Sequence, residues 1–206
     1  VKGHEYPRAL LAAMLTEHVP TRLAMIRAAH TQDLDEPELW PPNPRAYLLA
    51  DQLPMKEEQY PAVLITSTSA AVDTNLQAGL GEFIYEYAVT VGVAVVSPRH
   101  GGETQSSVGR DRIMLAVREA LLLNANLAAD CFAVVRNLTE ETGAAIETLQ
   151  SQPMSLGNIT FAVRVVEELT DPVLTIDGEP AAVVTTDVDV YAVDATGILP
   201  REEEPA

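Results

Sequence analysis

Cys131 is the one cysteine in the 206 residues, so the chain can form no internal disulfide and no thiolate zinc site. Set in "DCFAVV", it reads as a small buried hydrophobe. Positive charge is also scarce: 13 Lys and Arg stand against 30 Asp and Glu, a formal net charge of -17. Free nucleic acid and anionic membrane are poor electrostatic matches for such a chain. No apolar run reaches the ~20 residues that a bilayer crossing needs. The opening "VKGHEYPRALLAAMLTEH" lacks a signal-peptide layout, because Glu5, Arg8 and Glu17 interrupt it. The expectation is a protein of the cytoplasm, or of a particle assembled there, with no membrane partner. Without secretion, the sequon matches "NLT" at 137 and "NIT" at 158 carry no weight.

The residues that carry chemistry are equally thin. His4, His18, His30 and His100 have no partner at metal-ligand spacing. Gly101 and Gly102 precede a helix pattern but lack the Gly-Lys-Ser/Thr of a phosphate loop, and read as a turn. Asp187, Asp189 and Asp194 look like a fragment of a calcium loop without its glycine and closing glutamate. Serines 67, 69, 106, 107, 151 and 155 have no nucleophile-elbow context. No catalytic, cofactor-binding or metal residue is assigned, no cofactor is expected, and the expectation is that the chain is not an enzyme.

What is present is hydrophobic content of 47%, enough for a real core in one domain with an appendage. Pro7 and "RALLAAMLTEHV" predict a helix opened by proline, with Leu10, Leu11, Met14, Leu15 and His18 on one side. Pro20 is expected to end or restart it, and "TRLAMIRAAH" to follow as a second short helix with Leu23, Ile26 and Met25 facing inward. Residues 31–59 read as a proline-rich, surface-hugging connection pinned by Trp40. "AVLITSTS" reads as a short strand, followed by a loop containing Gly, Asn and Asp.

The next stretch, "GEFIYEYAVTVGVAVVSP" at 81–98, alternates with period two: Phe83, Tyr85, Tyr87, Val89, Val91, Val93 and Val95 share one face. Fourteen of its residues, at ~3.3 Å each, would extend roughly 45 Å, well past a common strand. A helix follows, "ETQSSVGRDRIMLAVREALLLNANL", with Ile113, Met114, Ala116, Val117, Ala120 and Leu121 on the face that meets the sheet. Leu115 and Leu122 form a stripe on its back. "CFAVVRNLTEETG" and "NITFAVRVVEEL" read as further strands, and "PVLTI", "DGEP" and "AAVVTTDVDVYAV" as a closing hairpin. Residues 167–206 hold eleven acids and a single base, Arg201, which marks an acidic tail. The expected fold is α/β (α+β): an antiparallel or mixed sheet with a long central strand, backed by helices, with an N-terminal helix and a C-terminal β-hairpin extension. The expected domains are 1–168 and 169–206.

The order of these parts resembles the tail terminator (tail completion) proteins of long-tailed bacteriophages, over about residues 5–168 and best over 60–168. The resemblance lies in architecture and texture and involves no invariant motif. It implies copies closed into a ring, usually of six, that sits on the last ring of the tail tube protein, stops its polymerisation and faces the head-tail connector protein. The virion tail would be its location, and DNA would pass through without specific binding. On that reading Leu115, Leu122 and Arg118 are candidate subunit contacts, and Glu82 and Glu86 are candidates for an acidic channel lining; their bland alternative is ordinary solvent exposure. The proline-rich 31–59 and the acidic extension after Thr170 depart from the plainest family pattern. A neck or connector component and a small ligand-binding α/β domain stand as rival readings.

Overall fold

The computed structural model describes residues 2–30, 40–49, 56–79, 82–97, 103–143, 147–149, 152–168, 175–176 and 179–180. It is an α+β fold. Helix α1 (Glu5–Ala29) is continuous, with Pro20 inside it, so the expected break at Pro20 does not occur. The reason is the stripe Leu11, Leu15, Val19, Leu23, Ile26, which is buried without interruption on both sides of the proline. Proline inside a helix costs ~3 kcal/mol, whereas each fully buried aliphatic side chain contributes roughly 1.5–3 kcal/mol. Burial therefore wins. Met25, expected to face inward, is 53% exposed, because it lies about 200° around the helix from Leu23.

The sheet contains β1 (Ala46–Leu48), β2 (Ala62–Gly79), β3 (Glu82–Val96), β4 (Asn126–Ala128), β5 (Cys131–Thr142), β6 (Glu147–Leu149) and β7 (Gln152–Glu168). Their lateral order is β1-β2-β3-β7-β5-β4, with β6 pairing to β7 beside β5. The β1–β2 pair is parallel and the others are antiparallel, so the sheet is mixed. The long central strand is β3, which pairs over its whole length with β7, from Glu82↔Glu168 to Val96↔Met154. On its other side β2 runs far beyond the expected "AVLITSTS": the residues read as a loop, 70–79, are strand, interrupted by register shifts after Ser67, Val72 and Gln77. Pairing with β3 imposes extended backbone on a segment whose own residues favour turns.

Helix α2 (Glu103–Leu123) lies with α1 on one face of this sheet. Ile113, Met114, Ala116, Val117, Ala120 and Leu121 are buried, and so are Tyr87, Val89, Val91, Val93 and Val95 of β3 and Ile159, Phe161, Val163 and Val165 of β7. Phe83, of the same parity, is 40% exposed near the end of the β2–β3 hairpin. Trp40 is buried in this core with the Arg112 guanidinium 3.8 Å from its ring centroid. A second, smaller apolar cluster, Tyr60, Ala62, Leu64, Ala94 and Met154, forms from residues of the opposite parity, on the other face.

The chain divides into two units, residues 1–170 and 171–206. In the second unit the described residues form a short hairpin, β8 (Thr175–Ile176) against β9 (Glu179–Pro180). Glu179 and Pro180, expected in its turn, are therefore strand. The remainder of the expected closing strand, with Asp187 and Asp189, lies outside the described residues, as do Asp194 and His100.

Candidate assembly surface

Strand parity decides which side chains face away from the helices. At the middle of the sheet, register aligns four threonines across four adjacent strands: Thr66, Thr90, Thr160 and Thr139. The Thr90 and Thr160 hydroxyls are 3.3 Å apart, and Thr66 Oγ1 donates to the Thr90 carbonyl at 3.4 Å. The neighbouring row is small and uncharged, Ser69, Ala88, Ala162 and Val134. Beyond it lies charge: Arg164 of β7 donates from Nε to Glu86 Oε2 at 3.0 Å and pairs through Nη2 with Asp73 of β2 at 3.0 Å. Glu82, two further alternations along β3, is opposite Glu168. The two candidate lining residues thus share one face, but Glu86 has an internal counter-ion.

The candidate contact residues lie elsewhere. Leu115 is half-buried against the helix–sheet core, while Leu122 is 52% exposed beside Leu123 at 59%. Arg118 pairs within the chain, Nη1 to Glu140 Oε1 at 3.1 Å. Surface pairs of this kind contribute little to stability, so the contact leaves Arg118 available to a neighbour at small cost.

Both sheet edges are largely open among the described residues. The outer edge of β2 is paired by β1 only over Ala62–Leu64. The outer edge of β5 is met by β4 and by Ala125, which accepts from the Ala133 amide, and no described strand pairs beyond that point. Each edge strand carries a large irregularity: Val72 to Gln77 against Tyr85 to Phe83, and Val134 to Thr139 against Ala162 to Thr160. Such interruptions twist an edge and prevent indiscriminate strand addition.

One polar cluster has no sign in the sequence. Glu167, 1% exposed, accepts from the Tyr87 hydroxyl at 2.7 Å and from the Lys2 amide at 3.1 Å. Lys2 also ion-pairs with Asp130, whose other oxygen accepts from Tyr6 at 2.8 Å. His4 Nδ1 lies 2.8 Å from Ser67 Oγ, and its ring stands edge-on to Tyr87. Burial, then the hydrogen bond and charge of Glu167, push the Tyr87 phenol well above its ordinary range. The cluster ties the start of α1 to the end of β7. In sequence, Glu167 is simply one of two glutamates closing an alternating strand.

Among the described residues no group of acids, histidines and cysteine could hold a metal ion, and no helix is long and apolar enough to cross a membrane. No family model matches the chain, nor does any curated protein. Among solved structures, the sheath/tube terminator of an extracellular contractile injection system, in its extended state, is similar at 14% identity and a TM-score of 0.27. The match covers 88% of this chain and 64% of that one, so the chain spans less than two thirds of its length.

Proposed function

We propose that this chain is a structural assembly protein of a phage tail, a terminator whose copies close into a ring, six in number, on the end of the tail tube. The observation that supports this reading is a sheet longer than its own core requires. Strands β2, β3 and β7 span 18, 15 and 17 residues, against a usual 5 to 6. The apolar face of β3 runs past its buried stretch to an exposed Phe83. A subunit built this way is completed by neighbours, and a heterologous contact that closes by rotation gives a ring.

In this reading the face without helices lines the channel. Its hydroxyl and small-residue rows offer a duplex no cationic group to hold it, and the Asp73–Arg164–Glu86 trio keeps one net negative charge. Glu82 adds to the repulsion. DNA passes without specific binding, because phosphate affinity grows with the number of Lys and Arg contacts. The partners are the tail tube protein on one side and the head-tail connector protein on the other, the location is the virion neck, and no catalysis is involved.

Removal of the gene from the genome that encodes the protein tests the role. Tails of uncontrolled length are expected, seen by electron microscopy of lysates. Tails of normal length that fail to join heads would assign the chain to the connector and refute the terminator reading.

A further inference from the structure

Six large hydrophobic side chains are exposed among the described residues, and four of them form two pairs. Val72 (42%) and Phe83 (40%) lie on adjacent strands near the far end of the β2–β3 hairpin, Val72 opposite Tyr85 and Phe83 two residues before it. Both point to the helix side, since Phe83 and Tyr85 share parity with the buried Tyr87 and Val89. Leu122 and Leu123 end α2, on the same side of the sheet.

Register places the two pairs at one height on opposite flanks. Val72 aligns through Tyr85 and Val165 with Cys131. Ala125, two residues after Leu123, bonds to Ala133, which aligns through Val163 and Tyr87 with Ala70. The levels therefore differ by only a few residues. The first pair sits on β2 and β3 and the second leads through Ala125 to the β5 edge, with β7 between them.

We infer that the Val72/Phe83 patch of one copy seats against the Leu122/Leu123 end of α2 in the next copy, around the ring. The inference rests on the terminator reading and specifies its subunit contact. Three features favour a second copy as the occupant. The patches differ from each other and sit on opposite flanks, as a heterologous contact requires. Their common height lets one rotation about an axis along the strands repeat the contact. The edges β2 and β5, which would flank it, run in opposite directions, because three antiparallel pairings separate them. An antiparallel approach is therefore available along β5 beyond Ala133, since at the height of the patches themselves β4 and Ala125 already meet that edge. The irregularities after Val72 and Val134 limit bare backbone pairing, which leaves the choice of partner and register to the apolar side chains.

Val72→Lys and Leu122→Glu test the pairing; both positions are exposed, and circular dichroism checks that each variant folds. Self-association is read by sedimentation and native mass spectrometry, alone and with tail tube protein present. Each single variant is expected to associate at least about tenfold more weakly than the parent, as for loss of a central interface anchor. An equimolar mixture is expected to recover assembly, because a ring alternating the two variants contains only Lys–Glu and unmodified contacts. Parent-like rings from either variant, or no recovery in the mixture, would overturn the assignment of these patches while leaving the ring itself standing. A parent chain that remains monomeric under every condition would overturn the ring, and this contact with it.

Discussion

Gly157→Ala places a methyl group where β7 passes beneath α2. The new Cβ would clash with Met114 Sδ and lie 3.2 Å from Met114 Cε and 3.1 Å from Arg110 Cδ. Met114 is 2% exposed and closed in by the core, so its thioether has little room to retreat. Arg110 is held as well: its Nε donates to Asp111 at 2.8 Å and its Nη1 to the carbonyls of Gly143 and Leu156 at 3.2 and 3.3 Å. Overpacking of this kind costs about 1–3 kcal/mol, and the stiffer unfolded chain returns about 0.4–1 kcal/mol. A net loss of about 1–2 kcal/mol follows, which for a domain of this size lowers Tm by roughly 2–8 °C. Urea unfolding followed by circular dichroism measures it. Met114→Ala alone should cost about 2–5 kcal/mol through its cavity. Combined with Gly157→Ala the losses should fall short of their sum by about 1 kcal/mol, because the new methyl takes up part of that cavity. A Gly157→Ala variant as stable as the parent, or strict additivity in the pair, would refute the packing argument.

Glu167→Ala removes the acceptor of the buried Tyr87 hydroxyl and should cost about 2–3 kcal/mol, whereas Glu167→Gln, which keeps an acceptor, should cost about 1 kcal/mol; equal losses would argue against the bond. In the same pair Tyr87 should ionise at lower pH in Glu167→Gln than in the parent, read by ultraviolet titration, since the carboxylate is one of the causes raising it. Burial pushes the Cys131 thiol up to about 11. A folded value above the unfolded one means this stabilisation is complete below pH ~9 and is lost as pH rises towards ~11. At neutral pH the thiol should react with an aromatic disulfide only at the rate of unfolding; immediate labelling would contradict its burial. Among the described residues the buried Tyr47 hydroxyl has no hydrogen-bond partner, and burial pushes its phenol up to about 12. Tyr47→Phe should therefore keep or raise stability, by up to about 1 kcal/mol, and a clear loss would reveal a bond.

The elements legible in the sequence are those whose burial follows one local rule. Strand β3 declares itself because alternate residues from Tyr85 to Val95 face one core, and α2 because its apolar positions recur every three to four residues. The second half of β2, "AAVDTNLQAG", has few β-branched residues; its extended form comes from β3 alongside it, a neighbour that local propensity does not register. Pro20 misleads for the converse reason, since a strong local signal is outweighed by the buried stripe around it. Of the candidate site, exposure at Leu122 and the shared face of Glu82 and Glu86 follow from periodicity. The threonine row does not, because it requires the register of four strands, and neither does the Arg164 counter-ion of Glu86, which is 78 residues away.

The position of β7 sets the order in which the protein can be made. Strand β3 has β2 beside it as soon as the hairpin leaves the ribosome, but its other neighbour arrives only with residues 152–168. Until then the polypeptide exposes an apolar strand edge and an uncovered core, which favours capture by chaperones. Folding should therefore wait for β7 and proceed slowly, as distant pairings do. On the proposed terminator reading, subunits would reach a growing particle as late-maturing pieces, and a shortage of finished copies would delay its completion.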